Sequence, residues 1–298
     1  MQFTMTRLAG SLAVASLALA AGSAHAVSVV AITTDNRITI FDSATPSMTS
    51  PYVTLTGVTA GARIVGLDQR PGDDQIYGVG TDNKLYTIDA TTGVATVHST
   101  LSGATISSSL SYGIDFNPVA DGAGGSSLRL VTSAGNNYAI NADTGVIGNT
   151  ASIIQTNFGG VAYTNSTNDP VPASTQLYYI DFSTDKLYRS DGAFNAPTIV
   201  EVGSLGVNTI GVYGFDITAD GMALASFTDA VTGQGGLYSI NLMTGAASLI
   251  GDFGVSSPLL AGMTVAAGLA PVPEPETYAM MLAGLGLVGW MARLRRRA

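Results

Sequence analysis

A tripeptide of glycine, an apolar residue and aspartate recurs through the middle of the chain: Gly66-Leu67-Asp68, Gly113-Ile114-Asp115 and Gly214-Phe215-Asp216. Gly160-Val161-Ala162 repeats the pattern without the acid. The starts at positions 66, 113 and 160 are 47 residues apart, and 214 follows after 54. A near-constant period in this range means small units that bury their faces only by stacking on one another.

Inside each unit the apolar residues alternate with polar ones, as in Ile76-Tyr77-Gly78-Val79 then Leu85-Tyr86-Thr87-Ile88, and Leu177-Tyr178-Tyr179-Ile180 then Lys186-Leu187-Tyr188. Leu237-Tyr238-Ser239-Ile240 holds the same place in the last unit. Period-two runs rich in Tyr, Ile, Val and Thr predict half-buried strands. A turn follows the third strand in three units: Asp89-Ala90-Thr91-Thr92-Gly93, Asn141-Ala142-Asp143-Thr144-Gly145 and Asn241-Leu242-Met243-Thr244-Gly245. Asp or Asn there bonds the backbone two residues on, and Gly supplies a positive φ. A fourth strand comes next, exemplified by Val94–Ser99 and Ala246–Ile250. Helical periodicity is nearly absent between Val27 and Ala270.

Four antiparallel strands per unit predict an all-β propeller of about five blades. Val29–Thr33, Arg37–Asp42 and Tyr52–Thr56 read as strands two to four of a unit without a first strand. Gly262-Met263-Thr264-Val265-Ala266 reads as a first strand with nothing after it. Joined, they make one blade and close the ring, which removes open edges. A β-sandwich is the alternative arrangement of the same strands. The region resembles the domain of unknown function family 4394, on Gly66-Leu67-Asp68-Gln69-Arg70-Pro71 and on Leu85-Tyr86-Thr87-Ile88-Asp89 with its Thr-Gly turn. That resemblance implies a propeller-like fold and no particular activity.

The ends of the chain carry addresses. Arg7, the apolar run Leu8–Ala21 and Ala24-His25-Ala26 form a signal peptide over residues 1–26, so the exported domain is expected over 27–270. At the other end, Pro273-Glu274-Pro275 precedes 16 uncharged residues, Thr277–Ala292, and then Arg293, Arg295, Arg296 and Arg297. As a helix that stretch spans about 24 Å, near the bilayer core, and the arginines would hold its end in the cytoplasm. This tail, residues 271–298, resembles the PEP-CTERM sorting signal. The resemblance implies recognition by an exosortase, a membrane transpeptidase. It also implies transient anchoring in the inner membrane and delivery to the cell surface or medium, commonly alongside exopolysaccharide and biofilm systems. Gly284-Leu285-Gly286-Leu287-Val288-Gly289 mimics a dinucleotide fingerprint, but no strand precedes it.

Composition narrows the chemistry. The chain has a net charge of −9, and Arg7 and the tail arginines lie outside 27–270, so the domain itself is more acidic still. That argues against nucleic acid. With no cysteine, thiol catalysis and thiolate metal sites are excluded. His98 is the domain's single histidine and falls in a fourth strand at the outer edge of a unit. Asp68, Asp115 and Asp216 are the best candidates for a site, because three innermost strands would bring them together where oxygen ligands suit Ca²⁺. The plainer alternative is that each accepts backbone N–H groups within its own turn. The loop Asp68–Asp74 is a second acidic candidate, without the order of an EF-hand. Tyr77, Tyr86, Tyr178 and Tyr188 would stack on sugars if exposed, or pack between units if not. The expected function is a non-catalytic surface or matrix protein that binds exopolysaccharide, needing no cofactor. A glycan hydrolase or lyase working through the aspartates is the alternative.

Overall fold

The computed structural model describes residues 26–153, 157–254 and 257–269. The sorting tail and all of the signal peptide except Ala26 lie outside them.

Period two places alternate side chains on opposite faces of a strand, and in the inner strands of each blade both faces are covered. The first sheet contains β1 (Ser28–Thr33), β2 (Arg37–Asp42) and β3 (Val53–Thr54). Val29 and Ala31 point toward one neighbouring sheet while Val30 and Ile32 point toward the other. This is why β1 reads as an unbroken apolar run and is buried at every position.

The second sheet runs β4 (Ile64–Gln69), β5 (Ile76–Gly80), β6 (Lys84–Ile88) and β7 (Ala95–Thr100). The third holds β8 (Tyr112–Phe116), β9 (Ser127–Thr132), β10 (Asn137–Asn141) and β11 (Ile147–Asn149). Between β8 and β9 sits α1 (Pro118–Gly122), started by Asn117, whose side chain accepts from Val119 and Ala120 N–H, with proline at its first turn. The fourth sheet is β12 (Phe158–Tyr163), β13 (Leu177–Asp181), β14 (Lys186–Asp191) and β15 (Thr198–Ser204). The fifth is β16 (Thr209–Ile217), β17 (Ala223–Asp229), β18 (Gly235–Ile240) and β19 (Ala247–Asp252). The last strand, β20 (Leu260–Val265), pairs antiparallel with β1, Val29 opposite Val265 and Ala31 opposite Met263.

The result is a five-bladed β-propeller of four-stranded antiparallel blades, with the first blade completed by β20. The five inner strands, β20, β4, β8, β12 and β16, contact one another in that order around the axis. One apolar cluster fills each blade interface, for example Ile32, Ile64 and Tyr86 between the first two blades and Val131, Phe158 and Tyr179 between the third and fourth. Each such side chain contributes roughly 1.5–3 kcal/mol by leaving water. Since all the pairing is completed between β1 and β20, the domain supplies its own core and its own closure.

The repeat's glycine has a packing cause. A Cβ at Gly113 would lie 2.6 Å from the Val161 nitrogen, and one at Gly262 would lie 2.8 Å from Gly66 Cα. The inner strands therefore approach too closely for any side chain. The unit with the 54-residue interval has the long connection between β12 and β13, residues 164–176, whose Ser166 to Asp169 line the end-face cavity, and a longer inner strand before Gly214.

Candidate site at the ring centre

One residue after the apolar position in each inner strand, five equivalent side chains face the axis: Thr264, Asp68, Asp115, Ala162 and Asp216, in order around the ring. Four of them reach the backbone of the next blade. Thr264 Oγ1 accepts from Gln69 N at 3.1 Å, and Asp68 Oδ2 accepts from Phe116 N at 2.7 Å. The Tyr163 N–H bonds Asp115, and Val265 N donates to Asp216 Oδ2 at 2.6 Å. Ala162 has no acceptor to offer. Asp68 and Asp216 also feel the N–H of the residue following each. The expectation of caps within their own turns is thus corrected: the principal bonds run between blades, because the inner strands lie so close.

The three aspartates converge as the sequence predicted. One carboxylate oxygen from each lies within 4.8 Å of the others. They are 5%, 1% and 5% exposed for Asp68, Asp115 and Asp216. Burial raises the pKa of all three, since the charged form loses its hydration. Asp216 pushes Asp68 further up, and Asp68 and Asp216 do the same to Asp115. The Thr264 hydroxyl stands 2.9 Å from Asp216 Oδ2 and 3.1 Å from Asp68 Oδ1, tying two of the acids together. Oδ1 of Asp115 is buried and has no hydrogen-bond partner. Among the described residues, no Lys, Arg or His forms an ion pair with any of the three. Sequence reasoning missed Thr264. Aligning Gly262-Met263-Thr264 with the Gly-x-Asp repeat would have found it.

Above the cluster, where the inner strands end, a cavity of about 660 Å³ opens. Asp216 forms part of its wall, with Gln69, Asp74, Ser166, Asn168 and Thr218 around it. The opposite mouth holds a smaller cavity of about 220 Å³ with Ile64, Val65, Val212 and Leu260 in its lining.

The other candidates resolve into structure. In the loop Asp68–Asp74, Arg70 supplies the cation: its Nε donates to Asp121 at 2.7 Å and its Nη1 to Asp143 at 2.8 Å. Gly72 N donates to the same Asp121, and the Tyr77 hydroxyl donates to Asp73 at 2.8 Å. Burial pushes the Tyr77 phenol up to about 12. His98 lies in β7, as expected, with Nε2 3.3 Å from Asp143 and its ring edge-on to Tyr77. Tyr77, Tyr86 and Tyr188 are buried between blades and Tyr178 packs against the cluster joining the last two. Pro273, Glu274, Pro275 and the arginines at 293, 295, 296 and 297 lie outside the described residues.

Fold and tail define an all-β propeller carrying a sorting signal. The chain belongs to the family described as Domain of unknown function (DUF4394), matched over residues 37–263. Residues 271–297 match the PEP-CTERM protein-sorting motif, so the protein is exported and processed at the membrane by an exosortase toward the cell surface. No curated protein matches the chain. Among solved structures it is similar to Kuenenia stuttgartiensis hydrazine synthase, at 11% identity and TM-score 0.42, over 66% of this chain and 51% of that one. It is also similar to the Myceliophteria thermophila Cps50 (Swd1) beta-propeller domain, at 13% identity and TM-score 0.39, over 69% and 59%. A third is BBS1N in complex with ARL6DN, at 11% identity and TM-score 0.39, over 74% and 62%. The chain spans between half and two thirds of the length of these structures.

Proposed function

We propose that the processed domain is a non-catalytic extracellular protein that binds a hydroxyl-rich matrix polymer, an exopolysaccharide, at the end-face cavity. The observation that carries this reading is a division of labour among polar groups. The three acids drawn together at the axis are buried and bonded to neighbouring blades, and the open cavity that Asp216 reaches presents amide, hydroxyl and carboxylate groups from Gln69, Asp74, Ser166, Asn168 and Asp169. Such groups recognise sugar hydroxyls by hydrogen bonds. The lone histidine lies away from it, on the outer strand β7. The sorting tail supports the same reading, since it directs the domain to the compartment where such polymers lie.

The test is co-sedimentation of residues 27–270 with the producing organism's own exopolysaccharide, followed by assay for new reducing or unsaturated ends. Saturable capture without new ends, weakened by Asn168→Ala, is the expected result. Release of ends that stops in Asp216→Asn would replace this reading with a glycan-cleaving one. Absence of capture would remove the polymer from consideration.

A further inference from the structure

The bridge between adjacent inner strands does not need a charge. Thr264 makes it with a neutral hydroxyl, accepting from Gln69 N, and at Ala162 the ring closes without any side-chain bridge. Yet three of the five positions carry carboxyl groups, and they stand together, none more than 5% exposed. An unpaired buried carboxylate is unfavourable, and three are more so. Either protons or a cation must offset them. Among the described residues no side-chain cation does so.

We propose that the ring centre is a calcium site formed by Asp68, Asp115 and Asp216, entered from the cavity that Asp216 lines. Two independent observations support it. The first is the orphan oxygen: Asp115 is 1% exposed, its Oδ1 has no partner, and its charged neighbours are the other two acids of the cluster. A cation would supply the missing contact. The second is size. The three candidate oxygens lie within 4.8 Å of one another. That is within the span of about 4.6–5.2 Å between opposed ligands of Ca²⁺, twice its usual distance to oxygen, so one ion can touch all three. All-oxygen donors also select a hard cation over zinc or copper. The Thr264 hydroxyl is near enough to two of the acids to join the shell, and the cavity gives water and the ion a route in. The site stands apart from polymer capture: a protein that fails to bind polysaccharide would still titrate with calcium.

The experiment is calorimetric titration of chelator-treated residues 27–270 with CaCl₂, and separately with MgCl₂, alongside melting curves in calcium and in chelator. The expected result is one calcium per chain and a melting temperature raised by roughly 5–10 °C at a hundredfold excess over Kd. Asp115→Asn keeps an acceptor for the Tyr163 N–H, so it should fold in chelator while losing calcium affinity at least about tenfold. Asp74→Asn, on the neighbouring loop, should bind as the parent does. Failure of the unmutated domain to take up calcium at millimolar concentration overturns the proposal whatever the variants do. So does binding that survives Asp115→Asn, or that Asp74→Asn removes, since either places the ion elsewhere.

Discussion

At the scale of single residues, the recurring turn shows how one hydrogen-bonding habit serves several blades. Asp89 Oδ1 accepts from Thr91 and Thr92 N–H, Asn141 Oδ1 from Thr144 N–H, and Asn241 Oδ1 from Met243 and Thr244 N–H. Aspartate and asparagine are interchangeable for the geometry and differ only in charge. The two N–H bonds from Thr92 and Thr91 hold the Asp89 carboxyl below its ordinary pKa, the Thr92 bond more strongly. A depressed carboxyl stabilises the fold above its unfolded value and loses that contribution as the pH falls through its folded value. Asp89→Asn should therefore leave the melting temperature at pH 7 nearly unchanged and flatten part of its decline as the pH falls below about 4. Asp89→Ala should cost about 1 kcal/mol at pH 7 through loss of both bonds. Melting curves of the three proteins across pH 3–7 check both statements.

At the scale of elements, the same turns fasten each blade to the one before it. Gly93, Gly145 and Gly245 have φ of 71°, 72° and 83°, which L residues avoid. Thr56 N donates to Gly93 O, and Ser102 N donates to Gly145 O at 3.0 Å, so each turn is stapled to chain leaving the preceding blade's outer strand. A Cβ at Gly145 would stand 2.0 Å from Thr100 O. Gly145→Ala should destabilise the domain by about 2–3 kcal/mol, combining backbone strain with separation of two blades. Urea midpoints measure it, and a change within about 0.5 kcal/mol would show that the turn gives way without disturbing the interface.

At the scale of the whole molecule, ring closure and address are separate properties of one chain. The propeller is closed by β20 on β1, while the sorting signal lies beyond it at residues 271–297. Replacing Glu274 with Ala in the full-length precursor should leave the domain folded and keep the protein in the inner-membrane fraction. Cell fractionation and immunoblotting read this, and normal release of the variant would refute exosortase recognition of Pro273-Glu274-Pro275. Much of this architecture was legible in the residues. The 47-residue period, the Asx-Thr-Gly turns and the unmatched strands at the two ends depend on local backbone chemistry and on alternation, so they predict the blades and their closure. The convergence of Asp68, Asp115 and Asp216 was legible for the same reason, since equivalent positions of a ring must face one axis. Three things were decided only by the tertiary structure. The bonds from those acids run to the next blade because inner strands free of side chains at Gly113 and Gly262 come close enough for a carboxylate to span the gap. Arg70 fills the acidic loop because folding brings Asp121 and Asp143 to it from 51 and 73 residues away. The cavity forms where loops after separate inner strands meet over the axis. A repeat fixes what each unit is, but distances between units depend on how their faces pack, and that is settled only when the ring closes.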